Sequence, residues 1–215
     1  MLTPAYPLRS DRLDLRPFSV DDLDDAYRYM SDPAVVRYLY WQVRDRDEVR
    51  AFLAERARQR TLEHEGDRLY LALVLPTTGQ GPAHPGSAGQ GPAPAGSAGR
   101  VIGEVMLHWT SGEHLQGEIG FVMSPDFQGK GYAREAARVA LALGFDHLGL
   151  HRIFGRCDAD NVSSAALMER LGMRREAHFV HDEFFKGRWS DTLVYAMLDE
   201  EWKAPRSGER PGLRG

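Results

Sequence analysis

The strongest constraint on this chain lies between Gly117 and Ala133, GEIGFVMSPDFQGKGYA. Ile119, Phe121 and Met123 alternate with Glu118, Gly120 and Val122, the period-two pattern of a strand with two unlike faces. Pro125 cannot donate to a ladder, so Ser124-Pro125-Asp126 ends that strand. Gln128-Gly129-Lys130-Gly131-Tyr132-Ala133 then sets two glycines where the next helix begins. Without a Cβ there, the backbone can curl until several N–H groups face one point. The helix start adds unpaired donors and the positive end of its dipole. Such a turn is a seat for a phosphate or pyrophosphate.

The surrounding chain reads as an α/β fold. A helix follows from Tyr132 to about Leu148, with Ala136, Ala137, Ala140, Leu141 and Gly144 on its inward stripe. Arg152 to Asp158 is the next strand, and this strand–helix–strand unit implies a parallel pair with a right-handed crossover. Asn161 to Leu171 is a shorter helix ended by Gly172. Strands at Arg174–His181 and Trp189–Met197 close the chain around a Lys186-Gly187 turn. Upstream, strands are expected at Arg12–Pro17, Arg68–Leu75 and Arg100–His108, and helices at Val20–Met30 and Asp47–His64. Together these give one α/β domain over residues 1–202, a mixed sheet of about seven strands flanked by about four helices.

Residues 79–88 and 89–98 are a tandem repeat, GQGPAHPGSA and GQGPAPAGSA, which cannot build a core. A flexible hairpin loop over 76–99 is expected, and a disordered tail over 203–215. A length of 215 residues, 42% hydrophobic, suits one full core. No apolar run is long enough for a membrane span, the start lacks the features of a signal peptide, and a cytoplasmic location is the expectation. A net charge of −4 without a basic block argues against nucleic acid. Cys157 stands alone, and His147, His151, His178 and His181 lack metal-ligand spacing, so no metal is assigned.

Two phosphate motifs fail here. A P-loop needs GxxxxGK[ST], but Gly131 follows Lys130; the dinucleotide fingerprint needs Gly where Arg134 stands. Gln128 to Ala133 instead resembles the Q/R-x-x-G-x-G/A acetyl-CoA motif of the GNAT N-acetyltransferase superfamily. EIGFVMSP before it, Leu148-Gly-Leu-His-Arg152, Asn161-x-x-Ser164, Arg170-Leu-Gly-Met173 and Trp189 to Tyr195 resemble its RimJ/RimL-type subgroup, which includes acetyltransferases of ribosomal-protein N-termini. The likeness covers roughly residues 9–202 without the repeat.

The resemblance implies a GNAT-like fold and acetyl-CoA as co-substrate. The amides of Gly129, Lys130, Gly131, Tyr132, Ala133 and Arg134 would hold the pyrophosphate after Gln128, and Lys130 and Arg134 could add charge. The strand at 118–124 would splay from that at 152–158, with Val122, Met123 and Ser124 pairing to pantetheine and an N–H near Val122 polarising the thioester carbonyl. Glu118 holds the position of a family general base; a salt-bridged strand residue is the equal alternative, and Glu104 is a second candidate. Asn161 could cap its helix, bond pantetheine, or do both. Many family members carry a tyrosine acid where this chain has Met168; Ser164, on the same helix face, becomes the candidate thiol donor, against back-bonding to its own helix.

Tyr38 and Trp41, in the aromatic stretch Val35–Trp41, either pack into the core or wall a substrate cleft with Phe185. An α-amine is about 10–20% neutral at pH 7 and a lysine amine well below about 0.1%, which favours a peptide or protein N-terminus. A small amine such as a polyamine or aminoglycoside is the alternative, and a non-catalytic CoA-binding sensor the alternative of another class. A homodimer, with the last strand's edge as contact, is a family-level expectation.

Overall fold

The computed structural model describes residues 1–76 and 99–204. The chain runs β1 (Leu8–Arg9), β2 (Asp14–Arg16), α1 (Leu23–Met30), α2 (Pro33–Val36), α3 (Arg46–Arg56), β3 (Arg68–Pro76), β4 (Gly99–Ser111), β5 (Gln116–Met123), α4 (Tyr132–Ala142), β6 (Arg152–Asp158), α5 (Val162–Leu171), β7 (Arg174–Phe185), β8 (Arg188–Leu198) and α6 (Asp199–Lys203). The eight strands form one mixed sheet in the order β1-β2-β3-β4-β5-β6-β8-β7. Strands β1 to β5 are mutually antiparallel, and so are β6, β8 and β7. The two halves join where β5 runs parallel to β6, over only Gln116↔Arg152, Gly117↔Ile153 and Glu118↔Phe154. Past that point the strands stop pairing. This is the expected mixed sheet with flanking helices; the surplus over the expected count is the two-residue β1 and the short α2 and α6.

Alternation along the strands divides the interior in two. Leu71, Leu107, Ile119 and Met123 pack with Ala136, Ala140 and Leu167 of α4 and α5. Ala72, Val74, Val101 and Val122 take the opposite face, under Tyr29 of α1 and Phe52 and Leu53 of α3. Glu118 and Glu104 belong to that second face, since Glu104 pairs with Val122, and Glu118 lies four residues before Val122 on β5.

Expected boundaries move at α3 and β7. The helix expected over 47–64 ends at Arg56. It starts one residue early because Asp45 accepts from the N–H groups of Asp47 and Glu48 while Glu48 accepts from that of Asp45, a capping box. Leu62 leaves it to bridge Leu2 and is fully buried there. The helix at the glycine turn runs to His147 as expected, α-helical to Ala142 and still helical over Leu143–His147, where Gly144 packs so closely that a Cβ would stand 2.5 Å from Ile153 Cδ1. The next turn widens, with Leu148 N–H reaching the Leu143 carbonyl at 2.9 Å. β7 passes His181, at φ 52, through a bulge and continues to Phe185. Lys186 and Gly187, at φ 47 and 83, form the turn that the sequence placed there.

Pro76 and Gly99, the ends of the excursion expected over 76–99, pair in register as strand ends. The repeat loop and the tail beyond Ala204 lie outside the described residues, while Lys203 belongs to α6.

Candidate active site

The glycine turn adopts the backbone that its sequence requires. Gly129 and Gly131 have φ of +72° and +84°, and Gly131 opens α4 with no side-chain cap. Glu135 N–H makes its bond to the Gly131 carbonyl at 3.1 Å, so helix geometry leaves the N–H groups of Tyr132, Ala133 and Arg134 pointing outward. Lys130 and Arg134 are exposed beside them. Gln128 Nε2 donates to the Met123 carbonyl at 3.1 Å and ties the turn to the end of β5. Ser124, buried, donates its N–H to Ile102 at 2.9 Å.

Arg12, which sequence reasoning missed, braces this turn. Its Nη1 donates to the Lys130 carbonyl at 3.0 Å, Nε and Nη2 reach Glu135 Oε2 at 2.8 and 2.7 Å, and the guanidinium lies 4.4 Å from the Tyr132 ring centroid. No local pattern links Arg12 to a turn 118 residues away. Only the fold does.

From the turn, the unpaired end of β5 with Val122 and Met123 runs along one side of the strand gap. The start of α5 borders the other: Asn161 Oδ1 accepts from Ser164 N–H at 3.1 Å, which realises the cap. Ser164 is half-buried. Met168 is fully buried, and a Cβ on Gly155 would meet its sulfur at 2.8 Å. The position of the family tyrosine has become core.

On the α1/α3 face, a small cleft of about 50 Å³ is lined by Tyr38, Tyr40, Arg156, Asp158, Glu183 and Phe185 among others. Tyr38 and Phe185 are where a cleft wall was expected. Trp41 is not: it turns inward, 6.4 Å from the Phe52 ring and under Arg44, because its neighbours there are aromatic and apolar. Tyr40, Arg156 and Glu183 were unforeseen. Tyr40 lay within the flagged aromatic stretch, and Arg156 shares the period-two face of Phe154, the partner of Glu118.

Tyr40, 71% exposed, donates to both Glu183 oxygens at 3.0 Å, and partial desolvation of its hydroxyl end together with that carboxylate holds its hydroxyl above the ordinary value. Arg156 Nε donates to Glu118 Oε1 at 3.0 Å, and His108 Nδ1 lies 3.6 Å from Oε2. Burial alone would raise the Glu118 carboxyl, but His108 and Arg156 outweigh it and hold it below the ordinary value. Glu104 is the reverse case. Fully buried, with Tyr29 Oη at 3.4 Å, it is lifted by desolvation to about 7 although Arg56 and Arg44 pull it down. Burial pushes the Cys157 thiol up to about 11, which leaves it protonated and unreactive at neutral pH. Lys186 Nζ clasps the carbonyls of Val36 and Trp41 at 2.6 and 2.8 Å, fastening the β7–β8 hairpin over the segment that carries Tyr38 and Tyr40.

An uncapped helix start with two left-handed glycines, leading into a gap edged by unpaired backbone, fits the two parts of coenzyme A: a pyrophosphate and an amide-bearing arm. Among the described residues no three His, Cys, Asp or Glu gather as metal ligands, and no helix is long and apolar enough to cross a membrane. Residues 12–174 match the family described as acetyltransferase (GNAT) domain. The uncharacterized N-acetyltransferase YnaD of Bacillus subtilis (strain 168) is 31% identical over 195 residues, 91% of this chain and 98% of that protein. The spermidine N(1)-acetyltransferase of Vibrio cholerae is 34% identical over 102 residues, 47% of this chain and 59% of that protein. The crystal structure of a GNAT-family acetyltransferase from Bacillus anthracis matches with a TM-score of 0.71 at 29% identity, covering 90% of this chain and 99% of that one. The chain therefore belongs to the acetyltransferase (GNAT) family and is an acetyl-CoA-dependent N-acetyltransferase.

Proposed function

We propose that the acceptor is an α-amine, of a peptide or protein N-terminus, bound on the α1/α3 face of the sheet. The observation that carries this reading is the contrast between two carboxylates: Glu118 is tied to Arg156 at 3.0 Å and held low, while Glu104 is fully buried with Tyr29 Oη at 3.4 Å, where desolvation lifts it. A carboxylate paired with Arg156 is a poor proton acceptor, whereas one titrating near neutrality is matched to the task. Glu104 is thus the proposed base, in place of Glu118. Its modest proton affinity suits an amine that is already partly neutral at pH 7.

Acetyl-CoA supplies the activated acetyl group as a thioester. The amides of residues 129–134 hold the pyrophosphate, with Lys130 and Arg134 at its rim. Val122, Met123, Ser124 and Asn161 take the arm along the gap. Glu118 neutralises Arg156 and keeps the cleft wall in place. Ser164 Oγ is assigned the proton for the departing sulfur, since Met168 has none to give.

A second reading, a polyamine acceptor, draws on Asp158 and Glu183 in the cleft and on the partial likeness to the Vibrio cholerae enzyme. Thiol release from acetyl-CoA with N-terminal peptides, lysine peptides, spermidine and an aminoglycoside decides between them. Peptide α-amines should give the highest kcat/KM. A preference for spermidine or for lysine side chains would overturn the α-amine reading.

A further inference from the structure

The cleft beside the strand gap holds one carboxylate with no cation of its own. Asp158 is paired with Arg188 at 2.8 Å, and Glu118 with Arg156 at 3.0 Å. Lys186, on the same hairpin, holds the carbonyls of Val36 and Trp41 with its ammonium. Glu183 lines the cleft and makes no ion pair among the described residues; its side-chain partner is the Tyr40 hydroxyl. Arg156 feels the charge of Glu183, but its bond goes to Glu118. A neutral donor leaves the charge in place, and a carboxylate that accepts one O–H keeps lone pairs for a further donor.

Register places this group on the side where the reaction takes place. Glu118 pairs with Phe154 on the parallel seam, so two and four residues further on, Arg156 and Asp158 stand level with Gly120 and Val122. Asp158 pairs in turn with Thr192 on β8, and Glu183 of β7 with Ser190. Period-two alternation keeps Arg156, Asp158, Thr192 and Ser190 on the face of Val122, and all four line the cleft. The cleft therefore lies on the acceptor face, across the gap from Val122.

Size and walls narrow the occupant. The volume of about 50 Å³ admits a group a few atoms across, since one water needs on the order of 10–15 Å³. Tyr38, Tyr40 and Phe185 supply aromatic walls, which favour a cation over an anion. A carboxylate in such a recess suits one ammonium group on a methylene stem. Val122 and the cleft are one to two strand spacings apart, about 5–10 Å where strands pair and more where the seam has opened. An extended residue adds about 3.4 Å and a lysine stem about 6 Å, so a lysine one or two residues after the terminal amine carries its charge roughly 10–13 Å away.

We propose that Glu183 is a specificity-determining residue of the acceptor site, selecting peptides with a lysine at the second or third position. The proposal rests on the α-amine reading and adds to it the part of the peptide that is read. The Tyr40 hydroxyl stays on Glu183, and the incoming ammonium takes the outer lone pairs of the carboxylate.

Thiol release from acetyl-CoA by the full-length protein gives kcat/KM for alanine-led octapeptides with lysine or norleucine at the second, third or eighth position. Wild type is compared with Glu183→Gln, which keeps an acceptor for Tyr40 and loses the charge. Wild type should prefer lysine to norleucine about five- to ten-fold at the second or third position, the scale of a partly exposed charged hydrogen bond, and show no preference at the eighth. In Glu183→Gln the ratio should fall to about one. Equal wild-type values for lysine and norleucine overturn the proposal. So does a preference that persists at the eighth position, the general pull of a chain with net charge −4, and so does one that survives Glu183→Gln. Should Glu183→Gln fail to fold, the positional comparison on wild type carries the test. Failure of the α-amine reading looks different: no octapeptide releases thiol, while spermidine does. The role of Glu183 is then judged by the ratio of spermidine to butylamine, which Glu183→Gln should bring to about one.

Discussion

Arg156 Nε and Glu118 Oε1, 3.0 Å apart, join β5 to β6 at the place where the pairing of those strands runs out. The bond keeps Glu118 ionised and occupied, so its removal should disturb acceptor binding more than chemistry. Glu118→Gln is expected to raise KM for the amine by about ten-fold while kcat changes by less than about three-fold, allowing for the half-exposed Arg156. Steady-state thiol release measures both. A collapse of kcat with unchanged KM would return the base to Glu118.

Glu104 should set a pH limb. Its carboxyl must be ionised to accept a proton, so kcat should rise with pH through about 7. Glu104→Gln should remove that limb and cost about 100-fold in kcat, with the limb of the amine itself left in kcat/KM.

The same group makes a stability prediction. Desolvation lifts the folded-state value from 4.5 to about 7, so its protonated form is the one that the fold favours. The stability this contributes is fully present below 4.5 and is lost as pH rises through about 7. The loss amounts to about 3 kcal/mol. Urea unfolding of wild type and Glu104→Gln should therefore show a difference that moves in favour of the variant between pH 5 and 8. A pH-independent difference would contradict the burial of a titrating carboxyl.

The two turn glycines should not be equivalent. A Cβ on Gly129 meets nothing within 4 Å, whereas one on Gly131 lies 3.3 Å from Arg12 Nη2. Both substitutions to alanine pay the left-handed penalty of about 1–2 kcal/mol. Gly131→Ala should also displace the arginine that braces the turn, and weaken CoA binding severalfold more than Gly129→Ala. Calorimetric titration with CoA compares them, and equal losses would remove Arg12 from the account.

Ser164→Ala should lower kcat by about ten-fold and leave the CoA Kd within two-fold, because the Asn161 cap that opens α5 uses the Ser164 backbone N–H and not its hydroxyl. Retention of full kcat would end the proposed role of Ser164.

What was legible in the sequence was whatever local geometry decides. The alternation around Ile119, the αL demand at Gly129 and Gly131, the Gly172 cap and the Lys186-Gly187 turn all depend on a few adjacent residues, and each was placed correctly. What escaped depends on contacts between distant segments. Leu62 leaves its helix for Leu2, and Trp41 turns from the cleft toward Phe52. Arg12 reaches Glu135, and Tyr40 reaches Glu183 across 143 residues. The charge states were hidden for the same reason: Glu104 and Glu118 look alike in the sequence, and only burial and partners separate them.

The three-residue seam between β5 and β6 also makes the sheet two panels hinged at one end. One panel bears the glycine turn, the other the hairpin that Lys186 fastens over the cleft. A cofactor arm lying in the opening would bond to strand edges that have no strand partner, and so act as a temporary strand. Loading the enzyme would then complete its own scaffold, and the acceptor would meet a stiffer frame than the empty protein offers.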